Sequence, residues 1–348
     1  MTASRSKNTH PLFPRPPGAR KPGLHERGIS TPDTPRVRHG YVKGFDGTRL
    51  FYSSEGEGIP LVFCYGLVCS SLHWTYQIQH FSKKYRTIWF DYRGHHNSAT
   101  PKNLKSITLE NIARDLNTVL EELHVSDAVF LGHSMGVNVV LEYYRQNPDR
   151  VKGLILANGT ARPPLENLFK TNLSQLGFDI LKKAQGLSPS LLKKLWKLQE
   201  KSSLARSMVA FGGFNPHLTP KEDIELYVQQ VLAMDPSLLI QLIESYNNYD
   251  ASAWLPGVEV PTLVIGGETD KMIPLPQQEL MAQLIPNSRL EVIRHGSHCP
   301  QMDLPELFNL KLEKFLAEIN YVPGSSPTTG IASRPKQKHR SPAPATSS

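Results

Sequence analysis

The stretch "FLGHSMGVNVVLEYY", residues 130–144, decides the fold. One serine, Ser134, stands between Gly132 and Gly136. The apolar run "DAVFL" leads into it, and "VNVVLEYYRQN", apolar at helical spacing, leads away until Pro148. The spacing predicts a strand that turns abruptly into a helix. Gly132 and Gly136 then supply the missing side chains that let the two backbones approach. Ser134 sits at the tip of the turn, and the helix N-terminus behind it favours negative charge nearby. A G-x-S-x-G pattern alone is weak, because a helix-capping serine in a tight turn also satisfies it. The surroundings must decide.

Upstream, two short strands flank Asp46-Gly47 as a hairpin, and "IPLVFCYG" reads as a buried strand ending in glycine. "LHWTYQIQHF" is helical in pattern, and "YRTIWFDYRGHHNS" is a strand running into a polar loop. Residues 106–123 form the clearest helix: Ile112, Leu116, Val119, Leu120 and Leu123 recur on one side. "VKGLILAN" is the next strand. About ninety residues of helical pattern follow, punctuated by prolines. "PTLVIGG" resumes the strands, and a helix near 276–285, the strand "RLEVI" and a last helix close the chain. The fold class expected is therefore α/β: a mostly parallel, doubly wound sheet with a helical lid inserted after the sixth strand. The core is expected over residues 39–160 and 251–320, and the lid over 161–250. Phe169, Phe178, Trp196, Phe211 and Phe214 are expected as lid core, some of them lining a pocket.

Net charge is +8, but the two ends carry it. Residues 1–40 contribute about +6 and 321–348 about +4, leaving the body near −2. The body is not a basic nucleic-acid surface. Residues 1–38 and 321–348, rich in proline, serine and charge, are expected as disordered basic tails. Solvated tails are the first reading of their charge, and weak contact with RNA or anionic lipid the second. The insertion is nearly balanced, with ten Lys/Arg to nine Asp/Glu, and implies no charged substrate. No apolar run of spanning length occurs, and the first residues lack a signal peptide's apolar segment. Three cysteines, Cys64, Cys69 and Cys299, with no C-x-x-C pair, fit reduced thiols in a cytoplasm rather than zinc. His95-His96 is not a metal site on this reading, since adjacent residues rarely converge on one ion.

A serine hydroxyl needs a base, and the base needs an orienting acid. His298 lies in "RHGSHCPQMDLPELF", in the loop between the last strand and the last helix, with His295 as its nearest rival. Asp270 lies just beyond the strand in "VIGGETDKMIP", with Glu268 earlier in the same loop. The order serine, acid, histidine is the one this elbow architecture uses. Asn158, after the preceding strand, marks the other place where such an acid can stand, but an amide cannot balance an imidazolium.

On "GHSMG", "DYRGHHNS", "GGETDKMIP" and "HGSHCPQMDLPELF", the chain resembles the α/β-hydrolase superfamily of lidded serine hydrolases and esterases. The resemblance covers Tyr41 to about Gly159 and Val258 to Ile319. It implies Ser134 as nucleophile, Asp270 as acid and His298 as base. It also implies an oxyanion hole made by two backbone N–H groups, those of Met135 and Leu67. Relatives often carry His-Gly where this chain has Tyr65-Gly66, and usually glycine where it has His96. The resemblance carries no substrate label, since the same frame supports many reactions. The first reading is hydrolysis of an ester or similar acyl bond through an acyl-enzyme, with no cofactor and with a small to medium apolar substrate as the default. C–C bond hydrolysis, acyl transfer and perhydrolysis use the same three groups. Epoxide hydrolases and dehalogenases of this frame need a carboxylate at the elbow. A ligand-binding member without catalysis is the remaining alternative.

Overall fold

The computed structural model describes residues 35–166, 173–199 and 202–324. Most of both expected tails, and Phe169, lie outside these residues. In chain order the elements are β1 (Val37–Lys43), β2 (Arg49–Glu55), β3 (Pro60–Cys64), α1 (Thr75–Phe81), β4 (Arg86–Phe90), α2 (Leu109–Glu122) and β5 (Ala128–His133). There follow α3 (Met135–Gln146), β6 (Val151–Ala157), α4 (Leu173–Leu187), α5 (Pro189–Gln199), α6 (Ser203–Gly213), α7 (Lys221–Ala233) and α8 (Pro236–Asn247). The chain closes with β7 (Thr262–Gly267), α9 (Pro276–Leu284), β8 (Ser288–Ile293), α10 (Pro300–Asp303) and α11 (Pro305–Glu318).

The eight strands form one sheet in the order β1-β2-β4-β3-β5-β6-β7-β8. β1–β2 and β2–β4 pair antiparallel, and every other pair is parallel. The antiparallel edge follows from the hairpin turn, where the Asp46 carboxylate accepts from the Thr48 N–H at 3.1 Å. The parallel strands are apolar runs because helices cover both faces: Val62, Ile88, Val129, Ile155 and Val264 are fully buried. α2 packs with α3, and α1 with α11. The folded body begins at Val37, two residues inside the segment expected as tail, because β1 pairs with the far end of β2. It reaches Tyr321, whose hydroxyl donates to the Pro60 carbonyl at 2.7 Å. Among the described residues no single helix is long and apolar enough to cross a membrane.

α2 starts at Leu109 rather than residue 106 because the Thr108 hydroxyl accepts from the Asn111 N–H and caps the first turn. Its buried side also carries Asp115, which the apolar pattern conceals. Asp115 forms a two-pronged ion pair with fully buried Arg93, both bonds at 2.7 Å, and Arg93 also reaches Asp46 at 3.0 Å. Arg93 therefore ties the loop after β4 to α2 and to the hairpin turn. Asp91 accepts from the backbone and side-chain amides of Asn97 instead, so Asp91 and Arg93 are each structural and do not pair with one another.

The elbow is as tight as its glycines require. A Cβ on Gly136 would stand 2.3 Å from the Cys64 carbonyl oxygen, and one on Gly132 2.5 Å from the Gly136 carbonyl oxygen. Both contacts are with backbone, which cannot swing aside. Gly136→Ala is expected to cost about 3 kcal/mol through overpacking. The melting temperature should fall by roughly 5–10 °C. An unchanged melting curve would contradict the close approach of α3 to β3.

Candidate active site

The carboxyl ends of the parallel strands share one edge of the sheet, where ligands bind in open α/β folds. Each residue singled out from the sequence follows one of these ends: Leu67 after β3, Ser134 after β5, Asn158 after β6, Asp270 after β7 and His298 after β8. Ser134 has φ 55° and ψ −125° between strand and helix, a strained conformation that aims its side chain off the elbow tip. The turn is held by the Ser134 N–H donating to the Ala157 carbonyl at 2.9 Å and by the Ser134 carbonyl accepting from the Val137 N–H at 2.9 Å.

The structure brings the three expected side chains together. His298 Nε2 lies 3.0 Å from Ser134 Oγ, and Nδ1 lies 2.9 Å from Asp270 Oδ2. A carboxylate only accepts, so Nδ1 carries the proton and the Nε2 lone pair faces the serine hydroxyl. The Asp270 carboxylate takes four hydrogen bonds. Oδ1 accepts from the N–H groups of Met272 and Ile273 at 2.8 and 2.9 Å. Oδ2 accepts from His298 and from Asn158 Nδ2, the latter at 2.7 Å. Asn158 is therefore no bystander: its amide clamps the Asp270 carboxylate in the loop after the neighbouring strand β7. It also donates to the Ser297 carbonyl at 3.1 Å. The rivals turn away. His295 is exposed with its ring Nδ1 3.7 Å from Glu268, whose carboxylate also accepts from the His295 N–H.

His133, buried in the elbow, does more than pack there. Its Nε2–H donates to the His298 carbonyl at 2.7 Å, tying the elbow to the loop that carries His298. Its ring lies 5.0 Å from that of His298, and the ring of His73 lies 5.4 Å from it and 4.6 Å from Tyr227. Burial, reinforced by His298, pushes the His133 imidazole down to about 3. Burial pushes His73 well below its ordinary range too. Two uncharged rings thus back the one ring that lies within hydrogen-bond distance of Ser134 Oγ. Sequence offered no signal for this stack beyond the histidines themselves.

The Tyr65 departure is structurally supported. Tyr65 and Tyr92 stack at 4.2 Å, the Tyr92 N–H donates to the Tyr65 hydroxyl at 2.9 Å, and the Tyr92 hydroxyl donates to the Tyr65 carbonyl at 2.8 Å. This mutual clasp holds the loop after β3. His96 adopts φ 44°, the left-handed region that explains glycine in relatives, and its Nε2 lies 2.8 Å from the Cys69 carbonyl. His95 turns elsewhere, to the Arg93 carbonyl at 3.3 Å. A Cβ on Gly66 would meet the Ser134 Cβ at 2.9 Å, so this loop runs directly beside the serine. Met135 opens α3, where the N–H has no intrahelical acceptor. The backbone bonds among the described residues engage neither its N–H nor that of Leu67.

A cavity of about 310 Å³ stands over Ser134 and His298. Leu67 and Ile273 line it from the sheet side, and Val231 and Tyr246 from the insertion. Tyr246 is 4% exposed, and its hydroxyl has no partner among the described residues. Of the aromatic residues expected as lid core, Phe178 and Phe214 are buried and Trp196 is half-buried. Phe211 is not: it is exposed, with Lys271 Nζ 3.3 Å from its ring centre. Cys299 is fully buried beside Phe214 and Met302, and burial raises its thiol well above the usual range, as expected of a small apolar packing residue.

A family model for the alpha/beta hydrolase fold matches residues 59–305, well over half of the chain. Among relatives, a putative carbamate hydrolase RutD from Azorhizobium caulinodans is 26% identical over 290 residues, which span 80% of this chain and 99% of that protein. A non-heme haloperoxidase from Rhodococcus erythropolis is 28% identical over 266 residues, 74% of this chain and 92% of that one. Among solved structures, a thermophilic esterase from Thermogutta terrifontis superposes with a TM-score of 0.67 at 22% identity, covering 81% of this chain and 99% of the esterase. With an elbow, a sheet order and a matched span of this extent, the chain belongs to the alpha/beta hydrolase fold family.

Proposed function

We propose that the chain is a serine hydrolase acting on an ester or similar acyl bond of a small to medium apolar substrate. The observation that carries the reading is the His298 ring, within hydrogen-bond reach of Ser134 Oγ on one side and Asp270 on the other. In the reaction, the Nε2 lone pair takes the hydroxyl proton as Oγ attacks the substrate carbonyl carbon. Asp270 holds the imidazole in the required tautomer and balances its positive charge. The N–H groups of Leu67 and Met135 receive the developing oxyanion, with the N-terminus of α3 behind them. His298 then gives its proton to the leaving group. A water molecule, deprotonated by the same nitrogen, releases the acyl group from Ser134. No step calls for a cofactor.

The largely apolar wall of the cavity supports an apolar substrate, and its volume, at the lower end for ligand sites, supports a modest one. The insertion serves as the lid that excludes water. The same three groups also serve C–C bond cleavage, acyl transfer and perhydrolysis, which product analysis on a substrate panel separates. The test of the reading itself is intact mass after treatment with a fluorophosphonate. The wild-type chain is expected to gain one adduct, and Ser134→Ala none. An unlabelled wild-type chain, or an adduct that persists in Ser134→Ala, would overturn the assignment.

A further inference from the structure

The insertion has two layers. α4 and α5 pack on α8, and α5 and α6 pack on α7, so α4–α6 form the outer layer. Inward, Phe178 of α4 and Leu192 of α5 close an apolar cluster with Leu165 and Ile240. Outward, the same helices are apolar again. On α5, Leu191, Leu195 and Leu198 recur at i, i+4 and i+7, and on α6 Leu204, Met208 and Phe211 do the same. All six are more than half exposed. α4 repeats the pattern with Ile180 and with Leu187, which is 87% exposed. Of the sixteen exposed large apolar residues among the described residues, nine stand on these three helices, so this is a patch and not scattered background. A helix that is apolar on both sides is built to be covered on both sides.

Charge says what covers it. The insertion as a whole is balanced, but residues 173–213 hold seven Lys/Arg against Asp179 and Glu200. Lys182, Lys193 and Arg206 pair with Glu244, Asp235 and Glu225 of the inner helices and their cap. Lys183 and Lys194, exposed beside the stripes of α4 and α5, make no ion pair among the described residues. Leucine stripes edged by lysines fit the headgroup boundary of an anionic bilayer. A second copy would set like charge against like, and both ends of the chain are basic as well.

We propose that the outer face of α4–α6 seats on an anionic phospholipid surface. Met208 belongs both to this face and to the wall of the cavity over Ser134, so the cavity opens beside the stripe. A seated chain would draw apolar substrate from the acyl chains rather than from water. That route rests on the hydrolase reading; the seating itself does not.

The test is flotation of the full chain, carrying Ser134→Ala, with vesicles of phosphatidylcholine alone or mixed with phosphatidylserine. Binding to the mixed vesicles is expected. Leu191→Ser/Leu195→Ser/Leu198→Ser should weaken it at least about tenfold. Lys183→Glu/Lys194→Glu should weaken it by about tenfold as well. Neither set lines the cavity, and melting curves check that both fold. The proposal is overturned by absence of binding, or by binding that the leucine variant retains and salt removes, which is adhesion by the basic ends. It is equally overturned by a dimer, seen in sedimentation, that the leucine variant dissolves without any vesicle binding. Absence of fluorophosphonate labelling in the wild-type chain, with vesicle binding by the Ser134→Ala chain intact, would sink the hydrolase reading and leave this one standing.

Discussion

Ser134→Ala is expected to hydrolyse short-chain aryl esters at least about 10³-fold more slowly than the wild-type chain, about 4 kcal/mol of lost transition-state stabilisation. The loss belongs in kcat, because the hydroxyl bonds to substrate carbon only beyond the ground state. His298→Ala should cost a similar factor, since without Nε2 the hydroxyl keeps its proton. The double variant should be little worse than either single one, as groups that act as one unit are not additive. Residual turnover then reports what the Leu67 and Met135 N–H groups and the cavity do by themselves. A second measurement ties the same residue to stability. Ser134 holds φ 55°, which glycine adopts freely, so Ser134→Gly should be inactive yet more stable by about 1 kcal/mol. Equal ester rates in Ser134→Ala and wild type would remove the mechanism.

Acid should unfold this chain more readily than its charge alone suggests. His73, His95 and His133 are fully buried, and burial holds each of them neutral, His95 down to about 4 with help from neighbouring His96. A histidine kept neutral in the folded chain takes up its proton only on unfolding. Stability is therefore complete above about 6.5, the ordinary histidine value, and is lost as pH falls from there towards the folded values. Between pH 7 and pH 5 each ring contributes about 2 kcal/mol to this loss, and the three together about 6 kcal/mol. That is a large part of a typical folding free energy. Burial pushes the carboxyls of Asp91 and Glu55 upward, so their proton uptake in the folded state opposes the trend. Comparing His95→Asn with wild type isolates the histidine part. The urea midpoint of wild type should fall by about 2 M across this range, and that of the variant by roughly a third less. Identical pH dependence in the two chains would show that His95 is not held neutral.

The elements most legible in the sequence were those that local pattern determines. The apolar run into Ser134, the glycines on either side and the helix beyond are set by contacts within a few residues, and all three lie where expected. The alternation of apolar runs with helical periods likewise gave the parallel sheet. Asp270 and His298 could be chosen because both follow a strand end, and strand ends meet at one edge. Illegible were the contacts between distant positions. Nothing local to Asn158 says that its amide will meet a carboxylate 112 residues away. Asp115 interrupts an apolar helix face, and its reason, Arg93, lies on another element. Phe211 shows the limit of periodicity: spacing marks a helix side as apolar without saying whether anything in the chain covers it.

The groups proposed to react all hang from the sheet, while much of the cavity wall belongs to the helices inserted between β6 and β7. Chemistry and selectivity are thus carried on separable parts. Exchanging residues on α6–α8 can redraw which molecules fit without disturbing the spacing of alcohol, imidazole and carboxylate. A library confined to Val209, Val231 and Ile243 would change preference while keeping the same reaction.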